Sequence, residues 1–128
     1  MKATINNVTL GVKDINASKK FYGDGLGYEV DQDRGGFVSF KAGEGGAALS
    51  LYTRDALAGD AGVSAEGTGF RGVVLNCIVS GQDRVGEVMT LAERAGAQIL
   101  KPAHKEQWGG YSGHFSDPDG HIWKVAGY

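Results

Sequence analysis

Three histidines (His104, His114 and His121), one thiol (Cys77) and the amine of Lys124 are the side chains of this 128-residue chain to weigh first for chemistry. Their spacing argues against a metal centre. No His-x-His or His-x-x-x-His pair occurs, and a single cysteine can build neither a disulfide nor a thiolate zinc cage. Histidines so scattered are ordinarily surface or half-buried groups. His114 differs, because strand alternation along GYSGHF can turn it toward a ligand cleft. Cys77 lies in an apolar run and reads as a buried, inert thiol. Trp108, Tyr111, Phe115 and Trp123 fall within sixteen residues. Trp123 reads as core. Trp108 sits in a loop ahead of two glycines and reads either as a roof over the cleft or as a subunit contact. Phe40 and Tyr52 are the upstream candidates for the same ligand wall. Lys101, His104, Lys105 and Glu106 read as a solvated, charged connection. The Gly-Glu-Gly-Gly of residues 43–46 is not followed by a helix, so it reads as a turn and not as a phosphate cradle.

The elements that must carry these residues come from an internal repeat. GGFVSFKAGEGGAALSLY begins at Gly35, and GGYSGHFSDPDGHIWKVA begins at Gly109, 74 positions on. In both, Gly-Gly-aromatic opens a short strand, a polar turn follows and a second strand returns. Upstream, VTLGV from Val8 corresponds to VLNCI from Val74, and each precedes a helical stretch with a glycine at its exit. Two copies of one unit commonly hold a small site between them, so equivalent positions should line one cavity.

Strands are expected over residues 8–12, 28–31, 37–41 and 47–52, with a helix from Asp14, its N-cap, burying Ile15, Phe21 and Tyr22. The second copy offers strands over 73–79, 98–100, 113–116 and 121–126. Its helix carries Val85, Val88, Met89 and Ala92 at helical spacing. Pro102 is read as closing the third-last strand, and 101–108 as a connection. Residues 53–71, rich in Gly, Ala, Ser and Asp, read as a mobile linker. The expected architecture is α+β: one domain over 1–128, with repeat one at about 5–52 and repeat two at about 72–127. Two βαβββ modules would form a curved mixed sheet around a central cleft. A net charge of −2 leaves no footprint for nucleic acid or an anionic membrane. No apolar run approaches a membrane span and no signal peptide is evident, which makes a cytoplasmic protein the expectation.

VTLGVKDINASKKFYGDGLGYEV and WGGYSGHFSDPDGHIWKVA resemble the opening and closing segments of the vicinal oxygen chelate superfamily, which includes glyoxalase I, bleomycin-resistance proteins and extradiol dioxygenases. The resemblance spans roughly 5–52 and 72–127, and it implies a homodimer. Enzymes of this family usually hold a divalent metal by four side chains, on the first and last strands of each repeat. The corresponding positions here are Asn7, Val73 (or Val74 with a slip of one), Ser50 and Lys124. Valine cannot coordinate, and a lysine ammonium opposes a cation. A metal-independent small-molecule-binding protein is therefore expected, with no metal or other cofactor. Its cleft would draw on Asn7, Phe40, Ser50, Tyr52, Asn76, Trp108, Tyr111, His114 and Lys124. The alternative is a lyase, isomerase or dioxygenase that works through Lys124, His114 or an atypical metal site. In either case Lys124 is expected to face the cleft and to set a preference for an anionic or carbonyl-bearing ligand, unless Glu29 or Asp31 neutralises it.

Overall fold

The computed structural model describes residues 5–128. The chain divides into two compact units, one running through Gly67 and one from Thr68 to Tyr128. Each contains a four-stranded mixed sheet. In the first, β1 (Asn7–Val12), β2 (Val30–Asp33), β3 (Phe37–Phe40) and β4 (Ala48–Thr53) lie in the order β1-β4-β3-β2. In the second, β5 (Val74–Val79), β6 (Gln98–Lys105), β7 (Tyr111–Ser116) and β8 (Ile122–Gly127) lie in the order β5-β8-β7-β6. The first and last strands of each module are parallel and the other pairs antiparallel. The two expected βαβββ modules are thus present, each closing its own sheet.

In the first module α1 (Ile15–Lys20) follows β1. Asp14 caps it, with a carboxylate oxygen accepting from the Ala17 amide at 3.0 Å. The helix then widens into a π-helical turn over Phe21–Gly25, closed by the Leu26 amide on the Phe21 carbonyl at 2.9 Å. The widened turn buries the consecutive rings of Phe21 and Tyr22. Leu10, Val12, Val38, Phe40, Leu49 and Leu51 are the buried apolar side chains that the sheet contributes to this core. Burying each such side chain is worth about 1.5–3 kcal/mol. Ile15 is only half-buried.

In the second module α3 (Gln82–Arg94) buries Val85, Met89 and Ala92 at the helical spacing read from the sequence, with Val88 half-buried. Phe115 and Trp123 stack beneath it, with ring centroids 5.9 Å apart and planes 4° from parallel. Trp123 is core, as its place in an apolar strand suggests.

Two expectations fail. The segment after β4 is not a structureless linker, for residues Arg54–Ala61 form a helix, α2, which ends on Gly62 in the left-handed conformation (φ 75°). Arg54 ties the chain beyond it, donating from Nε to the Ala65 carbonyl at 2.7 Å and from Nη2 to the Gly67 carbonyl at 3.1 Å. The sequence hid this helix because RDALAGDA has no apolar stripe, and none of its residues is buried. Nor does Pro102 stop its strand: β6 runs through it to Lys105. β6 is an edge strand, and its register with β7 shifts on both sides of Lys101, so the missing proline amide costs no regular ladder bond.

Glycines separate tight from open packing in testable form. A β-carbon on Gly127 would stand 2.4 Å from the Val79 carbonyl oxygen, whereas one on Gly86, inside α3, would meet nothing within 4 Å. Gly127→Ala is expected to lower unfolding free energy by about 1–3 kcal/mol. Gly86→Ala is expected to raise it by about 0.5–1 kcal/mol through helix propensity. Urea unfolding of both variants checks the pair, and equal effects would contradict the packing described.

Candidate functional site

Strand alternation gives each sheet a face toward its helix and a face away from it. In the first module the away-facing residues are Asn7, Thr9 and Gly11 on β1, Phe37 and Ser39 on β3, and Ser50 and Tyr52 on β4. The registers Thr9↔Ser50↔Ser39 and Gly11↔Tyr52↔Phe37 set them side by side. α2 lies over the Gly11 end of this face. A β-carbon there would come within 3.3 Å of both Arg54 Cα and Leu57 Cδ2, so a side chain larger than hydrogen would push the helix away. The result is a cavity of about 420 Å³ lined by Thr9, Arg34, Phe37, Tyr52, Leu57 and Asp60. Its size lies within the range of small-molecule sites.

Each lining residue has a local cause. Asp33 accepts the Gly35 amide at 3.0 Å, and the Arg34 amide donates to the Phe37 carbonyl at 2.8 Å. These bonds fix the β2–β3 turn that presents Arg34. Lys19 anchors the same Asp33 from α1 at 2.6 Å, and its hydrogen bond is the main reason that the Asp33 carboxyl sits below its ordinary value. Phe37 and Tyr52 meet edge to face, with centroids 5.8 Å apart at 82°. Leu57 and Asp60 come from α2. Among the described residues neither Arg34 nor Asp60 has an opposite charge within salt-bridge distance. The cavity thus combines an aromatic pair, a hydroxyl, a cation and an anion. Of the expected site residues only Tyr52 lines it. Arg34, Leu57 and Asp60 escaped the sequence reading because a hairpin turn and a helix without an apolar stripe supply them.

Asn7 and Ser50 share this face, with the Ser50 hydroxyl donating to Asn7 Oδ1 at 3.0 Å. Phe40 does not. It is buried on the helix side with its ring near Tyr22 (6.3 Å) and Tyr28 (5.8 Å), one strand residue out of phase with Ser39. That corrects its expected place in a ligand wall.

In the second module Asn76, Lys124 and His114 do fall together. They are successive register partners on β5, β8 and β7, and Lys101 on β6 completes the row. Tyr111 is on the other side, in phase with Gly113, whose missing side chain makes room for Met89 of α3. Trp108, 47% exposed, folds back over Gly110 in the β6–β7 turn and meets Tyr128 edge to face at 5.4 Å. It is not among the residues lining the first module's cavity. His104 and Ser112 both engage one oxygen of Glu106, Nε2 at 2.8 Å and the donating Ser112 hydroxyl at 2.6 Å. His121 is held by Asp117 of the DPDG turn at 2.7 Å, a structural role. Cys77 is half-buried, and burial raises its thiol above the ordinary value, so it is no ready nucleophile. Glu29 pairs with Lys41 at 3.1 Å and is not the partner of Lys124.

The positions expected for metal ligands can now be assigned by register. Asn7 pairs with Ala48 as Val74 pairs with Ile122, so the counterpart of Asn7 is Val74 and not Val73. An amide already bonded to a serine, a valine, that serine and an ammonium do not fit a divalent cation. Among the described residues no three His, Cys, Asp or Glu side chains are grouped to replace them.

The sequence model of the Glyoxalase/Bleomycin resistance protein/Dioxygenase superfamily matches residues 4–125. A glyoxalase-related enzyme from Fulvimarina pelagi is 30% identical, with a TM-score of 0.86 over 98% of this chain and 88% of its own. A glyoxalase/bleomycin resistance protein/dioxygenase from Nocardioides is 24% identical, with a TM-score of 0.83 over 100% and 85%. A lactoylglutathione lyase from Agrobacterium tumefaciens is 23% identical, with a TM-score of 0.75 over 99% and 95%. No protein of curated function matches the sequence.

The His114 imidazole is held below its ordinary 6.5, first by burial and then by the charges of Lys124, Lys101 and His104, with Glu106 opposing. The unfolded chain therefore takes up this proton more readily than the folded one, and stability should fall as pH drops below 6.5. The loss should level off once pH is beneath the folded value. The lowered Asp33 and Glu106 carboxyls add losses only further down, starting from their ordinary 3.8 and 4.5. Urea unfolding at stepped pH should show His114→Gln losing the upper limb of this decline. A wild-type-minus-variant difference that is flat with pH would contradict it.

Proposed function

The chain belongs to the Glyoxalase/Bleomycin resistance protein/Dioxygenase superfamily, and from that premise we propose that it binds a small amphipathic molecule without a metal at the family's usual positions. The observation that carries this reading is the first module's cavity, where Phe37 and Tyr52 offer ring surface beside the Thr9 hydroxyl, Arg34 and Asp60. A planar apolar ligand body would lie on the rings, and its polar ends would meet the hydroxyl and the two charges. The donor set Asn7, Ser50, Val74 and Lys124 supports the metal-free part of the proposal.

A second reading is catalytic. It is favoured by a neutral imidazole, His114, set in register beside the ammonium of Lys124, a pairing that could move a proton at a carbonyl compound. Turnover abolished by His114→Gln but untouched by chelator would support it over pure binding.

Two measurements test the main proposal. Fluorescence titration with 2-naphthol, a neutral planar probe, should show saturable binding. Tyr52→Ala should weaken it about three- to tenfold, the worth of a lost aromatic contact. Unchanged binding in that variant would reject the cavity. Calorimetric titration of chelator-dialysed, tag-free protein with Ni²⁺ and Zn²⁺ should reveal no micromolar site. One tight metal per chain, lost on changing Asn7 or Lys124, would overturn the metal-free reading.

A further inference from the structure

We propose that the away-facing side of the second sheet carries an anion-binding site in which Lys124 and Lys101 flank His114 and clasp a small oxyanion, a carboxylate or a phosphate. The site is built from residues of the second module alone, and the argument for it does not depend on the function assigned to the first module's cavity.

The register places the three side chains on adjacent strands, β8, β7 and β6, with Asn76 of β5 at the end of the row. Neighbouring strands are about 4.8 Å apart, so both ammonium groups can reach one small anion lying over His114. Among the described residues neither Lys124 nor Lys101 has a carboxylate within salt-bridge distance. Lys124 is nevertheless half-buried. A cation withdrawn from water without a counter-ion is unfavourable, and a bound anion removes that cost. Glu106 acts electrostatically on both Lys101 and His114, and one of its oxygens is taken by Ser112 and His104. The charges of Lys124, Lys101 and His104 all act on His114 in the same direction, against the single opposing charge of Glu106.

The fold does not require this arrangement. At the equivalent positions of the first module the row Thr9, Ser50, Ser39 and Gln32 is uncharged. The positive row is a feature of this chain's second module, which is what a site for an anion needs. Asn76 can add a neutral donor, since among the described residues its amide nitrogen reaches the Val74 carbonyl of its own strand alone, at 3.3 Å.

The test follows the His114 ring by NMR as the intact protein is titrated with inorganic phosphate, and separately with acetate, at constant ionic strength held with sodium chloride. Saturable shifts of the His114 signals, together with a rise of its titration midpoint when the anion is bound, are expected. Lys124→Gln should weaken phosphate binding at least tenfold, and Lys101→Gln should weaken it less, since Lys101 is the more exposed. Stronger response to phosphate identifies a phosphate-bearing ligand, and stronger response to acetate a carboxylate; either supports the site. No saturable response to either anion, or an undiminished one in the folded double variant Lys101→Gln/Lys124→Gln, overturns it. Phosphate or acetate and 2-naphthol are titrated separately, so failure of the aromatic cavity and failure of this site are read separately.

Discussion

Each sheet here has one helix to bury one of its faces, and the period of two along a β-strand decides which side chains that helix hides. Every candidate site residue that a strand carries depends on that constraint. In the first module the phase that sends Leu10, Val38, Phe40 and Leu51 into the core leaves Thr9, Phe37, Ser50 and Tyr52 on the opposite side. In the second, the phase that stacks Phe115 on Trp123 leaves His114 and Lys124 together. A shift of one residue in either sheet would exchange site for core.

The two away-facing sides have diverged. The first module adds α2, which roofs one end and turns an open sheet into a cavity, and the close approach at Gly11 lets it do so. The second adds no such helix and instead concentrates basic groups across adjacent strands. One module is thus furnished for planar apolar surface and the other for charge.

Much of this was legible in the sequence. The offset of 74 residues between Ser50 and Lys124 located equivalent strand positions, and alternation along GYSGHF separated His114 from Phe115. The same alternation, applied to FVSF, places Phe40 in the core beside Val38, whereas aromatic character alone points it toward a ligand wall. The same alternation sets Tyr111 in phase with Gly113 and Phe115. α2 was not legible, because its helix rests on one leucine, a glycine-permitted approach and the Arg54 anchors, none of which leaves a periodic pattern. Arg34 was hidden by its turn: Asp33 and Gly35 set its direction through hydrogen bonds that composition does not reveal. The extension of β6 through Pro102 follows from its edge position, which is a property of the sheet and not of the strand.

The central claim is that the first module's away-facing side, roofed by α2, is where a planar small molecule is held. Amide chemical-shift mapping of the isotope-labelled protein during titration with 2-naphthol tests it residue by residue. The account predicts that the largest shifts gather at Thr9, Arg34, Phe37, Tyr52, Leu57 and Asp60, while Phe40, Leu49 and Leu51 on the helix side stay nearly still. Shifts centred on the helix side, or scattered without saturation, would contradict it.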